Sequence, residues 1–143
     1  MKRILVIDDE PPVARLVTAA LNTAGVQHSV EYCGDGAQGR TKAARGGYDL
    51  ITLDIHMPLM GGVEALREAK RSPKSAHIPI VVITGQQDPM FRRRVMKFGA
   101  ATLVTKPFEI EELGKILSQV LSGEYAEPSA IGDQDPDIRP LDV

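Results

Sequence analysis

The sequence is poor in cysteine, in long hydrophobic runs and in net charge, and each shortage excludes a class of protein. Its single cysteine, Cys33, cannot form an internal disulfide, and no Cys/His cluster has zinc-site spacing. No apolar run approaches the roughly 18 residues of a membrane-spanning helix, and the N-terminal run is too short for a signal peptide. The net charge of −2 disfavours nucleic-acid binding by bulk electrostatics. We therefore expect a cytoplasmic protein.

What the sequence does contain is a fivefold alternation of short branched-chain runs and amphipathic segments. The apolar runs, which predict strands, are 4–7, 50–53, 80–83 and 102–104, with a weaker, more alternating candidate at 29–33. Apolar residues at helical spacing predict helices between and after them, at 13–24, 36–45, 61–71, 91–98 and 110–121, of which 36–45 is the weakest. This order is typical of the α/β class, with a parallel sheet covered by helices on both faces.

The alternation stops at Gly123. The last 20 residues contain six acidic residues, one arginine and three prolines, and they show no apolar periodicity. Such a segment cannot bury enough surface to offset the entropy lost on ordering. We therefore expect one folded domain over residues 1–123 and an acidic, disordered tail over residues 124–143.

Polar side chains follow four of the predicted strands. Asp8 and Asp9 follow the first strand, Asp54 follows the third, Thr84 ends the fourth, and Lys106 follows the fifth. In open α/β sheets, ligands bind outside the carboxyl ends of the strands, so these groups are expected to meet in one pocket. A single Asp at a strand end is more often a helix cap, but five polar residues at four strand ends make that interpretation improbable.

Three carboxylates so close together would repel one another unless a cation lies among them, and a hard divalent ion such as Mg²⁺ suits them. A lysine opposite the metal would neutralise the other oxygens of a phosphoryl group, and a threonine hydroxyl can donate to a remaining oxygen. A carboxylate beside Mg²⁺ is also a competent nucleophile toward phosphorus. The pocket is therefore suited to the phosphorylation of an aspartate.

The same residues resemble a known family. Asp8-Asp9, the segment Asp54-Ile55-His56-Met57-Pro58, Thr84-Gly85 and Lys106-Pro107-Phe108 resemble the motifs of a CheY-like response regulator receiver domain. The resemblance covers residues 1–123. It implies a doubly wound, five-stranded parallel sheet of order 2-1-3-4-5 and a cis bond between Lys106 and Pro107.

The resemblance also implies roles. Asp54 would accept a phosphoryl group from a sensor histidine kinase or a histidine phosphotransfer protein. Asp9, Asp54 and the backbone carbonyl of His56 would ligate Mg²⁺, with Asp8 assisting. Lys106 would pair with the phosphoryl oxygens, and Thr84 would hydrogen-bond one of them.

Two features bear on how phosphorylation of Asp54 would be communicated to a downstream protein. Leu103 stands where the family usually has an aromatic residue, three before the lysine, so a smaller rearrangement of Leu103 or of the preceding helix is expected to carry the signal. A basic run also marks the fourth predicted helix, and it comprises Arg92, Arg93, Arg94 and Lys97. Such a run is most often a solvated face, but in receiver domains the fourth helix, fifth strand and fifth helix commonly dock partners.

We expect a stand-alone phosphorylation switch that is not an enzyme beyond its own phosphorylation and dephosphorylation. Twenty residues after the domain are too few for a DNA-binding module, so no nucleic-acid partner is expected. No membrane partner is expected either, because no apolar run is long enough to span a membrane. The main alternative is a small Mg²⁺-dependent phosphatase or phosphotransferase that uses Asp54 on an external substrate. A pseudo-receiver and a flavodoxin-like nucleotide binder are weaker alternatives, because the acidic set is intact and no phosphate-binding loop follows the first strand.

Overall fold

Five strands form a single parallel sheet in the computed structural model, which describes residues 1–55, 62–85 and 89–124. The strands are β1 (Lys2–Ile7), β2 (His28–Cys33), β3 (Leu50–Leu53), β4 (Ile80–Thr84) and β5 (Thr102–Thr105). They lie in the order 2-1-3-4-5, and every neighbouring pair is parallel. The predicted fold class and strand order are therefore confirmed.

Helices cover both faces of this sheet. They are α1 (Pro12–Thr23), α2 (Gly36–Arg45), α3 (Gly62–Arg71), α4 (Pro89–Lys97) and α5 (Ile110–Leu121). Because side chains alternate across a strand, Ile4 and Val6 of β1 pack with α1 and α5, whereas Leu5 and Ile7 face α2, α3 and α4. Within the described ranges, no helix is long and apolar enough to cross a membrane.

Helix α2, which has the weakest sequence pattern, is present over its predicted bounds. Local interactions explain why it forms. The Asp35 carboxylate caps it by accepting hydrogen bonds from the N–H groups of Ala37 and Gln38, at 2.6 and 3.3 Å. Gly39 lets the helix lie close to β1, since a Cβ there would come within 2.6 Å of the Ile7 side chain. The glycine that weakens the helical pattern thus permits the packing.

Helix α5 ends at Leu121, two residues before the predicted domain boundary, which stays a prediction. The predicted acidic tail, apart from Glu124, lies outside the described residues and stays a prediction.

The approach of α5 to α1, on the face of the sheet that these two helices cover, depends on Gly114. This residue is buried in α5, and a Cβ there would lie 2.3 Å from the Ala20 carbonyl oxygen of α1. We expect Gly114→Ala to lower the free energy of unfolding by about 1–3 kcal/mol, because the helices must separate. The cost of separating the helices outweighs the roughly 1 kcal/mol by which Ala is more favourable than Gly in the interior of a helix.

Urea denaturation followed by circular dichroism measures this change. Lys115→Ala, at the exposed neighbouring position of the same helix, is the control and should change the unfolding free energy by less than about 0.5 kcal/mol. If Gly114→Ala is as stable as the parent, the close contact between α1 and α5 does not limit the stability of the protein.

Candidate functional site

The sheet's hydrogen-bond ladder continues one residue past the strand ends and fixes the backbone of the candidate site. The N–H of Asp8 donates to the Cys33 carbonyl at 3.0 Å, and that of Asp54 donates to the Ile7 carbonyl at 2.9 Å. The N–H of Lys106 donates to the Thr84 carbonyl at 2.8 Å. The predicted site residues after β1, β3 and β5 therefore lie at one edge of the sheet because strand pairing puts them there.

The ammonium group of Lys106 lies among three carboxylates. Its Nζ is 3.1 Å from Oδ2 of Asp8, 3.1 Å from Oε1 of Glu10 and 3.3 Å from Oδ2 of Asp54. Asp8 and Asp54 were predicted to be its neighbours, but Glu10 was not. The only sequence signal for Glu10 is that it directly follows the acidic pair after β1.

Four acidic side chains form a compact cluster here. Asp8, Asp9, Glu10 and Asp54 each offer a carboxylate oxygen, and these oxygens all lie within 4.8 Å of one another. Asp8 and Asp54 are buried, whereas Asp9 and Glu10 are exposed. The Lys106 ammonium offsets only part of this negative charge, so the donor set fits a hard divalent cation that prefers oxygen ligands.

Burial governs the protonation of Asp8. It raises the pKa of the Asp8 carboxyl from 3.8 to about 6, although a hydrogen bond from the Glu10 backbone N–H (2.8 Å) and the nearby Lys106 act in the opposite direction. Burial alone would lower the pKa of Lys106, but the hydrogen bonds and attraction from its carboxylate neighbours outweigh it and raise that pKa. Lys106 therefore carries its positive charge throughout the physiological range.

Tyr32 is a second residue that the sequence pattern did not identify. It lies on β2, and its hydroxyl donates a 2.7 Å hydrogen bond to the backbone carbonyl of Asp8. Burial, with the negative charges of Asp8 and Asp9, raises the pKa of Tyr32, so the hydroxyl keeps its proton and remains a donor. The tyrosine thus ties the edge strand to the turn that carries the acidic pair.

The remaining predicted site residues are placed as follows. Thr84 is buried at the end of β4 and pairs with Thr105 of β5, one residue before Lys106. The bond between Lys106 and Pro107 is cis, as the family resemblance implied. His56, with its predicted carbonyl ligand, lies outside the described residues.

The predicted partner surface divides into a buried and an exposed part. Leu103 is buried in the same core cluster as Val95 and Met96 of α4, so it can affect a surface only through its neighbours. In the basic run, Arg92, Arg94 and Lys97 are exposed and Arg93 is half-buried. The roles given to these residues stay predictions.

Comparison with known sequences matches residues 4–118 to the family described as response regulator receiver domain. Response regulator ArlR of Staphylococcus saprophyticus is 34% identical over 113 residues, which are 79% of this chain and 49% of that protein. The DNA-binding dual master transcriptional regulator RpaA of Synechocystis is also 34% identical over 113 residues, 79% of this chain and 46% of RpaA. The chain thus spans about half the length of the curated relatives it matches.

Solved structures agree with the sequence comparison. Chemotaxis response regulator CheY4 of Vibrio cholerae superposes with a TM-score of 0.74 at 30% identity, covering 84% of this chain and 98% of that one. The receiver domain of sensor histidine kinase PA1611 from Pseudomonas aeruginosa, described with a magnesium ion coordinated in its active site cleft, gives 0.73 at 28% identity, over 85% and 98% of the two chains. On its fold and its sequence, this chain belongs to the response regulator receiver domains of two-component signalling.

Proposed function

We propose that this chain is a phosphorylation switch in which Asp54 accepts a phosphoryl group from the phosphohistidine of a sensor histidine kinase or a histidine phosphotransfer protein. The observation that carries the proposal is the position of the Asp54 carboxylate, which is buried, belongs to the acidic cluster and lies 3.3 Å from the Lys106 ammonium. Membership of the receiver family supports the donor class, since receiver domains are phosphorylated by histidine kinases.

The transfer forms one bond and breaks one. An Asp54 carboxylate oxygen attacks phosphorus, the P–N bond to the donor imidazole breaks, and its electron pair leaves with the imidazole. Lys106 lies where its ammonium can neutralise charge on the phosphoryl oxygens, and the Thr84 hydroxyl is the donor proposed for one of them. These contacts exist only in the phosphorylated state, so they favour a different surface for the downstream partner.

Asp8, Asp9 and Asp54 are the side chains proposed to hold Mg²⁺, with the His56 carbonyl implied by the family resemblance alone. Support comes from the four clustered carboxylates and from the magnesium described for the PA1611 receiver domain. When bound, the ion would offset the charge of the acids and of the phosphoryl oxygens. Asp8, which is almost fully buried, would then hold its negative charge at neutral pH.

The downstream partner is proposed to be a protein that docks on α4, β5 and α5. RpaA is named as a DNA-binding regulator and this chain spans less than half of its length, so the expectation of no nucleic-acid partner applies to the receiver domain alone.

The proposed acceptor is tested with the protein, Mg²⁺ and acetyl phosphate, followed by intact mass. We expect one acid-stable, base-labile phosphoryl adduct on the parent and none on Asp54→Asn, because the amide is not a nucleophile. Asp49→Asn is the matched control at the other end of β3, and it should be phosphorylated like the parent. An adduct that persists on Asp54→Asn would contradict the assignment, and rapid turnover of diverse phosphate esters would favour the enzymatic alternative.

The raised pKa of Asp8 predicts a pH-dependent stability without divalent cations. The stabilisation associated with the protonated carboxyl is complete below its ordinary pKa of 3.8 and is lost as the pH rises through about 6. A shift of about two pH units corresponds to roughly 3 kcal/mol, which is an upper limit for this site. We therefore expect Asp8→Asn to raise the free energy of unfolding by about 1–3 kcal/mol at pH 7.5 and by much less near pH 4.5.

Chemical denaturation at the two pH values, with EDTA or with Mg²⁺, measures this effect. Mg²⁺ should stabilise the parent more than Asp8→Asn, because the variant has lost one cluster charge. Glu124→Gln, an exposed acid after α5, controls for the loss of a negative charge and should change stability little. If Asp8→Asn is no more stable than the parent at pH 7.5 in EDTA, burial of the Asp8 charge does not limit stability.

A further inference from the structure

Glu10 differs from the other two carboxylates that contact Lys106. The side chain of Asp8 is 2% exposed and that of Asp54 is 6% exposed, whereas that of Glu10 is 62% exposed. The Asp8 carboxylate also accepts a hydrogen bond from the Glu10 backbone N–H, which fixes its orientation. Of the three acids, Glu10 can therefore move away from Lys106 at the least cost.

The hydrogen-bonding capacity of Lys106 makes this difference matter. An ammonium group has three N–H donors, and three carboxylate oxygens lie within 3.3 Å of Nζ. A phosphoryl oxygen on Asp54 that pairs with Lys106 needs one of those donors. Asp54 carries the phosphoryl group and Asp8 is buried, so the Lys106 N–H that becomes available is the one whose hydrogen bond Glu10 accepts.

We propose that Glu10 is a positioning residue that competes with the phosphoryl group for Lys106, an inference that rests on the proposed function of Asp54. In the unphosphorylated protein Glu10 shares the ammonium, and on phosphorylation it moves into solvent. The negative charge of Glu10 also attracts the cation that the cluster would hold.

If Glu10 competes in this way, removing its charge should have opposite effects on the binding of anions and of cations. Glu10→Gln keeps the size of the side chain and removes its charge. We expect it to increase the rate of Asp54 phosphorylation by acetyl phosphate, and the affinity for beryllofluoride in saturating Mg²⁺, by about three- to tenfold. The affinity for Mg²⁺ alone should fall by a similar factor. Intact-mass kinetics and isothermal titration calorimetry measure the three quantities.

Two further variants separate competition for Lys106 from other effects. Glu111→Gln removes an exposed acid from the first turn of α5, and it should leave all three quantities within about twofold of the parent because the charge is screened by solvent. In a Lys106→Ala background, Glu10→Gln should no longer raise the affinity for beryllofluoride, because no ammonium remains to be released. Glu10→Ala, which removes the side-chain acceptor altogether, should change the three measured quantities in the same direction as Glu10→Gln.

The outcomes distinguish this inference from the proposed function. If the parent is not phosphorylated on Asp54 and binds no beryllofluoride, the proposed function itself fails. If the parent is phosphorylated and binds beryllofluoride, but Glu10→Gln does so at the same rate and with the same affinity, the proposed competition for Lys106 is wrong. An increase that persists in the Lys106→Ala background, or that Glu111→Gln reproduces, would overturn it too, since the effect would then be general electrostatics.

Discussion

The balance of charge around Lys106 is the interaction on which the site depends. Strand pairing of β1 with β3 places Asp8 beside Asp54, and two buried carboxylates so close would repel each other without a nearby cation. Lys106 follows β5, two strand spacings or roughly 10 Å from β3, and its long side chain crosses the end of β4 to reach both acids. The site is therefore assembled only when β1, β3, β4 and β5 are all in register.

Much of the fold could be predicted because buried parallel strands leave a strong pattern in the sequence. The differences from the structure lie at element ends, where that pattern fades. β1 begins at Lys2 and β2 at His28, and these two exposed or half-buried residues pair through their backbones although neither is apolar. Likewise α4 begins at Pro89, before its first apolar anchors, because proline is tolerated in the first turn of a helix.

The site could be predicted only as far as strand ends determine it. Asp8, Asp54 and Lys106 are placed by the backbone ladder, so their positions in the sequence were enough. Glu10 and Tyr32 reach the site because their long side chains point toward it. Apolar periodicity in the sequence carries no information about the direction of a side chain. The burial of Leu103, by contrast, follows from its place in a strand covered by α4.

The division between buried and exposed acids bears on how one pocket would serve both states of the proposed switch. Asp8 and Asp54 are fixed by the ladder and by burial, so they define where positive charge is needed, while the exposed acids can adapt as that charge changes. A contiguous series of packed residues leads away from the site toward α4. Thr84 ends β4, Val82 of the same strand pairs with Leu103, and Leu103 shares a core cluster with Val95 of α4. A change at the strand ends can therefore shift α4 without an aromatic residue at position 103, provided that the packing of this cluster has two arrangements of similar free energy.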